Sequence, residues 1–298
     1  MGSPEFALPT LKNLAERYSV VGVVTQPDRP AGRGRGLKSP PVKLLADHLG
    51  IETIQPERLR HPEAFSKLVE WAPNLIVVVA FGQILRPNVL ELPRFGCINV
   101  HASLLPRWRG AAPIQSAILA GDGESGVTIM KMDAGVDTGP ILAQRAIPVY
   151  KDDHAESLGN RLSVLGAELL LETLPLYLAG SLAPTAQDES SATYAPMLRK
   201  EEGLIEFSYP AAFLERKIRA YTPWPGATMM LNGEILKIRS ARVAGSSSLS
   251  PGARGIIDGL PAVGTSDGCL VLQEVQPAGK KAMPAKEFLR GARNWSET

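Results

Sequence analysis

The sequence predicts an α/β domain built on a parallel sheet, followed by a small β-barrel. From residue 6 to about residue 180, short β-branched runs alternate with amphipathic stretches, the pattern of repeated βα units. Beyond residue 200 the chain turns to short strands broken by Gly, Pro and Asn, the texture of a barrel. The 298 residues suit two domains of ordinary size, each able to bury its own core.

In order, strands are expected over 20–25, 51–54 and 75–80, with helices over 44–48 and 65–71 between them. The run 75–80 is apolar on both faces, as a central strand covered by helices requires. Further strands are expected over 97–101 and 127–132. Leu158, Leu162, Leu165, Leu169 and Leu174 then mark one long helix, opened near Asp152-Asp153 and stopped at Gly180. The domains are read as 1–180, a linker over 181–199 that is poor in periodicity, and 200–298. In the last of these a helix over 211–220 precedes strands over 227–231, 235–238, 255–257, 260–264 and 269–275, with Asn232-Gly233 as a turn. Ser3-Pro4-Glu5 reads as a helix start, yet only Met1 and Gly2 precede it, too few for the strand that normally comes first.

Composition excludes several classes. With 44% hydrophobic, 21% charged and 6% aromatic residues the chain is of ordinary globular type. Cys97 and Cys269 are far apart in apolar surroundings, which suggests neither a disulfide framework nor a zinc site. The longest apolar run, residues 75–81, is far short of the about 20 needed to span a bilayer, and no signal peptide is evident. A cytoplasmic protein without membrane association is expected. Charge is mildly uneven: residues 199–298 carry 14 Lys and Arg against 10 Asp and Glu, which permits a polyanionic partner without demanding one.

The densest chemical cluster is the run from Cys97 to Gly110. On a strand, Asn99 and His101 project to the same face about 6.6 Å apart. Such a buried polar pair needs partners, and at the edge of an α/β sheet the partner is often a ligand. Taken alone, such a pair is more often a satisfied core histidine beside a turn-forming Asn. A second cluster, from Met132 to Gly139, leaves a strand through glycines. Asp137 is within reach of His101 across strand ends, where a carboxylate would orient the imidazole and favour its charged form. Asp133 and Asp137 also fit as turn residues bonding their own backbone.

The loop over 26–38 follows a strand and is glycine-rich, but its Gly-x-Gly-x-Gly spacing and its prolines fail the dinucleotide fingerprint. Arg29, Arg33, Arg35 and Lys38 against a single Asp28 suit a phosphate backbone, or simply a solvated loop. Arg216, Lys217, Arg219, Lys280, Lys281, Lys286, Arg290 and Arg293 are placed to line a second basic face, with Trp224 and Trp295 available for stacking on a barrel of oligonucleotide-binding type. Charge clusters are more often solvated faces.

Together these segments resemble the bacterial methionyl-tRNA formyltransferases of the 10-formyltetrahydrofolate-dependent formyltransferase family. The resemblance runs through Phe81-Gly82-Gln83-Ile84-Leu85, the stretch from Gly96 to Ile114 with its Ser-Leu-Leu-Pro and Arg-Trp-Arg-Gly-Ala-Ala elements, and the run from Gly126 to Gly139. It extends to the basic loop and to the Tyr221-Thr222-Pro223-Trp224-Pro225-Gly226 entry of the second domain. It implies a Rossmann-like formyltransferase domain and a barrel that helps to hold tRNA. It further implies transfer of the formyl group of 10-formyltetrahydrofolate to the α-amine of initiator methionyl-tRNA, giving N-formylmethionyl-tRNA for translation initiation. Catalysis falls to Asn99, His101 and Asp137, folate contact to Ser103, Leu104, Leu105 and Pro106, and tRNA contact to Arg29, Arg33, Arg35 and Lys38. No metal is implied, and a monomer is expected. The chemistry agrees: attack of a neutral amine on a formyl carbon puts negative charge on oxygen, which the Asn99 amide and a protonated His101 can receive. Asp137 would keep His101 cationic and pass the amine's proton onward.

Members of the family begin with a short apolar strand ahead of the segment that starts here at Gly2. Its place is the middle of the sheet, so ladder groups on both neighbours are expected to be exposed, as a start codon assigned too late or a shortened chain would produce. Two other readings use the same residues: a relative that formylates a small amine or hydrolyses the donor, and a tRNA-binding protein without catalysis.

Overall fold

Most of the β-branched runs become strands and the amphipathic stretches helices in the computed structural model, which describes residues 1–31, 36–245, 249–292 and 294–296. The chain divides into two units, one of Met1–Pro113, Glu124–Pro148 and Gly159–Pro196, the other of Ile114–Gly123, Val149–Leu158 and Met197–Thr298. Strands of the first unit are β1 (Val23–Val24), β2 (Arg29–Ala31), β3 (Gly36–Lys38), β4 (Thr53–Ile54), β5 (Ile76–Val78), β6 (Cys97–His101), β7 (Arg109–Gly110), β8 (Glu124–Lys131), β9 (Ile141–Pro148) and β10 (Tyr194–Ala195). Its helices are α1 (Leu8–Arg17), α2 (Pro41–His48), α3 (Pro62–Trp71) and α4 (Pro87–Leu90), while α5 (Pro113–Ala120) and α6 (Ala155–Leu178) run across the division.

The main sheet has the order β5-β6-β8-β9, and β1 pairs with β4 in parallel. β5 and β6 are parallel, Val78 opposite Asn99, and β6 is buried along its whole length. The parallel expectation fails at β8, which runs antiparallel to both β6 and β9. The nine residues between β8 and β9 are too few for the crossover that parallel strands require. β9 itself escaped the sequence reading, because Gln144 and Arg145 interrupt an apolar run whose outer side chains alternate with solvent.

Met1 and Gly2 lie between β1 and β5. The Met1 amine donates to the Val77 carbonyl (2.7 Å), the Val79 N–H to the Met1 carbonyl (2.9 Å) and the Gly2 N–H to the Val24 carbonyl (3.0 Å). Burial lowers the pKa of that amine to about 6. Two residues thus satisfy part of each neighbouring ladder, and a cavity of about 700 Å³ lined by Val23, Val24, Ile76 and Leu174, among others, adjoins them.

α6 buries Leu158, Leu162, Leu169, Leu170 and Leu174. It is capped by an exchange in which the His154 N–H donates to Ser157 Oγ and the Ser157 N–H to His154 Nδ1, a capping-box arrangement one residue beyond the expected Asp153. At Gly166 the helix backbone comes so close to the sheet that a Cβ would sit 2.7 Å from Val100 Cγ1.

In the second unit, α7 (Ala211–Ala220) packs with an antiparallel, barrel-like sheet. Its strands are β11 (Ala227–Leu231), β12 (Glu234–Ala244), β13 (Arg254–Ile257), β14 (Leu260–Gly264), β15 (Cys269–Pro277) and β16 (Met283–Pro284), followed by α8 (Ala285–Gly291). The order is β11-β12-β15-β14-β13, with β16 on β15. Asn232 and Gly233 both have positive φ, the tight turn their sequence predicts. Leu214, Ile218, Ile238, Leu270, Leu272 and Trp295 build its core. Trp295 is 2% exposed and donates its indole N–H to the Gly255 carbonyl, so it is a core residue and not a stacking platform. Trp224 is exposed. No described helix is long and apolar enough to cross a membrane.

Candidate active site

Asn99 and His101 stand two residues apart on β6, both buried, at 9% and 5% exposure. Their partners come from two loops. After β6 the chain turns back through a cis Leu105-Pro106 bond, and the Trp108 carbonyl arrives 3.0 Å from His101 Nε2. A carbonyl only accepts, so Nε2 carries a proton and Nδ1 is the nitrogen left for a partner on the other side of the ring. The second loop brings Asp137, whose Oδ2 accepts the Gly110 N–H at 2.9 Å and lies 3.6 Å from His101 Nδ1, while its Oδ1 accepts from Asn99 Nδ2 at 3.3 Å. The imidazole thus lies between the Trp108 carbonyl on one side and the Asp137 carboxylate on the other.

The two aspartates of the second loop divide the roles that sequence left open. Asp133 is the turn residue, accepting the Gly135 N–H and the Thr138 hydroxyl. Asp137 is directed to Asn99 and His101, from a backbone at φ +54. β7 delivers Gly110, at φ +113, where an added Cβ would lie 2.6 Å from the Ala195 carbonyl of β10. Only glycine fits there.

Ser103, Leu104, Leu105 and Pro106 form the turn that follows His101. Ser103 Oγ donates to the Arg107 carbonyl, and its own carbonyl accepts from the buried Thr128 hydroxyl. The Leu105 N–H donates to Thr128 Oγ1 and its carbonyl accepts from Gln144 Nε2. These polar groups are thus engaged within the fold, and it is Leu104 and Pro106 that keep partial exposure. Thr128 and Gln144 brace this turn without any sequence signal of their own.

Of the basic-loop residues, Arg29 and Lys38 face each other across the β2–β3 ribbon and are exposed. Arg33 and Arg35 lie outside the described residues. Asp28, the loop's one acid, is engaged by Gln55, Lys43 and Ser39, which hold its carboxyl below the usual range. The local field around Arg29 and Lys38 is correspondingly positive. In the second unit, Lys280, Lys281, Lys286 and Arg290 are exposed, whereas Arg219 is paired with Glu215 and Arg216 donates to the Leu119 carbonyl. Arg293 lies outside the described residues. Among the described residues, no group of three or more His, Cys, Asp or Glu side chains is placed to hold a metal.

Residues 5–174 match the formyl transferase family and residues 197–293 match the formyl transferase C-terminal domain. The chain is 50% identical to the methionyl-tRNA formyltransferase of Geobacter sulfurreducens, over 98% of this chain and 93% of that protein. It is 47% identical to that of Myxococcus xanthus, over 98% and 93%. Among solved structures, WlaRD, a sugar 3N-formyl transferase seen with dTDP and 5-N-formyl-THF, shares the fold with a TM-score of 0.68 at 20% identity, over 94% of this chain and 97% of that one. HypX from Aquifex aeolicus, in complex with tetrahydrofolic acid, does so with a TM-score of 0.62 at 19% identity, over 93% and 47%. With about half its residues shared across nearly the whole length of the two bacterial methionyl-tRNA formyltransferases, the chain belongs to the methionyl-tRNA formyltransferases of the formyl transferase family.

Proposed function

We propose that Asn99, His101 and Asp137 carry formyl transfer to the α-amine of initiator methionyl-tRNA. 10-formyltetrahydrofolate supplies the one-carbon unit. The donor set fits such a group: two buried hydrogen-bond donors, the Asn99 amide and His101 Nδ1, flank one carboxylate. As the amine attacks, the Asn99 N–H not directed at Asp137 and the Nδ1–H of His101 receive the negative charge that grows on the formyl oxygen. His101 stays fixed because Nε2 is held by the Trp108 carbonyl. Asp137, facing the imidazole, accepts the proton that the amine must lose; as the tetrahedral centre collapses, the bond from the formyl carbon to the folate nitrogen breaks and that nitrogen takes up the proton, so that tetrahydrofolate leaves. In this scheme the imidazole supplies the positive charge and the neutral amide a second hydrogen bond, and it calls for no metal. Leu104 and Pro106 offer apolar surface to the folate, with Ser103 and Leu105 shaping the turn. Arg29, Arg33, Arg35 and Lys38 meet the tRNA backbone. The protein acts in this reading as a cytoplasmic monomer, with no membrane partner.

The observation that carries the reading is the convergence of Asn99, His101 and the Gly110 N–H on one carboxylate. Asn99→Ala, His101→Ala and Asp137→Ala are expected to abolish transfer while circular dichroism stays native. Retained activity in all three would end the assignment. Replacing Arg33 and Arg35 is expected to weaken tRNA use and flatten its salt dependence.

A further inference from the structure

Asp137 is held from a direction that its own loop does not supply. Gln187 lies in the stretch 181–199, where the sequence shows no period, and its side-chain amide reaches the loop. Nε2 donates to the carbonyls of Asp137 (2.8 Å) and Gly139 (2.7 Å). Its Oε1 accepts from Arg109 Nε at 3.0 Å. The Arg109 side chain is wholly buried and bound by both guanidinium ends to Glu189, at 2.9 and 2.7 Å. Arginine has only donors, so it fixes which way the Gln187 amide points: the flipped amide would set nitrogen against guanidinium and oxygen against two carbonyls. β10 pairs with β7 beside this fork, Tyr194 opposite Arg109, which ties the same segment to the Gly110 N–H that Asp137 accepts.

We propose that Gln187 is a positioning residue for formyl transfer. Asp137 sits at φ +54, a left-handed backbone uncommon for L residues though more accessible to aspartate than to most. A single amide gripping the carbonyls on either side of Thr138 holds the loop in that conformation, and Arg109 with Glu189 keeps the amide in register. Gln187 therefore acts through the carboxylate, aiming it at Gly110, Asn99 and His101. This rests on the role proposed above for Asp137, and the test separates the two.

The experiment is a double-mutant cycle on the full chain, with formyl transfer from 10-formyltetrahydrofolate to methionyl-tRNA as the readout. Gln187→Ala is expected to lower kcat at least about tenfold, as misplacement of a catalytic group does, with KM for both substrates changed less than about threefold. In an Asp137→Asn background the same substitution is expected to change kcat less than about twofold, because the group it positions is already disabled. Gln187→Glu, of equal size but with only acceptors toward the two carbonyls, is expected to reproduce the loss. If Gln187→Ala lowers the thermal midpoint but leaves kcat within twofold, or if its effect is the same in both backgrounds, the proposal is overturned. If Asp137→Asn alone retains wild-type kcat, the reading of Asp137 itself has failed. Should Gln187→Ala not fold, Gln187→Glu alone and in the Asp137→Asn background decides by the same two criteria.

Discussion

Asp137→Asn keeps the shape of the side chain and removes its charge, so it isolates what the carboxylate does. Two hydrogen-bond donors converge on the acid, the Gly110 N–H at 2.9 Å and the Asn99 amide at 3.3 Å, and the His101 ring lies 3.6 Å from it. An asparagine offers one oxygen. Turned toward Gly110, it sets its NH2 against that of Asn99; turned toward Asn99, it sets NH2 against the Gly110 N–H and the imidazole. At least one donor is left unmet in either case, at about 1–3 kcal/mol each. The larger loss is electrostatic. A unit charge pair at the His101 to Asp137 distance of 3.6 Å is worth about 4–5 kcal/mol at the effective dielectric of a partly buried site. If the attack draws on that interaction, its removal slows transfer by about 10³. Single-turnover transfer of formyl to methionyl-tRNA, read beside a thermal melt, measures the rate loss apart from any loss of fold. A folded Asp137→Asn protein within tenfold of the wild-type rate would refute the reasoning.

Two further outcomes follow from the geometry. Arg109 holds the Glu189 carboxyl below its ordinary value of 4.5. Its contribution to stability is therefore complete at neutral pH and is lost as pH falls through the lowered value. The difference in urea midpoint between wild type and Glu189→Gln should be present at neutral pH and shrink toward zero in acid; a difference that grows in acid contradicts the pairing. Burial pushes the Cys97 thiol up to about 12, and Cys269 is buried too. Iodoacetamide at neutral pH should label neither thiol in the native protein and both in concentrated guanidinium, whereas rapid native labelling of Cys97 would contradict its burial.

The parts of this structure legible in the sequence are those fixed by local periodicity. β6 spans the residues its pattern indicates, as do α7, β11 and β14, because each apolar face is written in consecutive residues. The i, i+2 spacing of Asn99 and His101 placed them on one face before any contact was known. Periodicity could not report direction: β8 reads the same whether it runs with β6 or against it, and the short connection to β9 decides the matter. Nor could it report the destination of Trp295, an amphipathic residue whose indole N–H finds a carbonyl inside the core.

The least legible part is the support of the site. Thr128, Gln144, Arg109 and Gln187 are each unremarkable in sequence, and what distinguishes them is a carbonyl or carboxylate reached across 25 to 80 residues of chain. Hydrogen bonds of that kind carry no spacing rule, since either partner can move along the chain so long as the fold returns it. The reacting groups are a different case. They must lie on rigid strand ends and tight glycine turns to be held within a fraction of an ångström, and such backbone leaves a recognisable string of residue types. The asymmetry is therefore physical: a motif records the groups whose local backbone is constrained, while the groups that aim them are recorded only in the tertiary structure. The buried Arg109 marks the border between the two. Its position belongs to the Arg-Trp-Arg-Gly-Ala-Ala motif, but its function, clamping Gln187 and Glu189 from a stretch that reads as featureless, becomes visible only when β7 and β10 are paired.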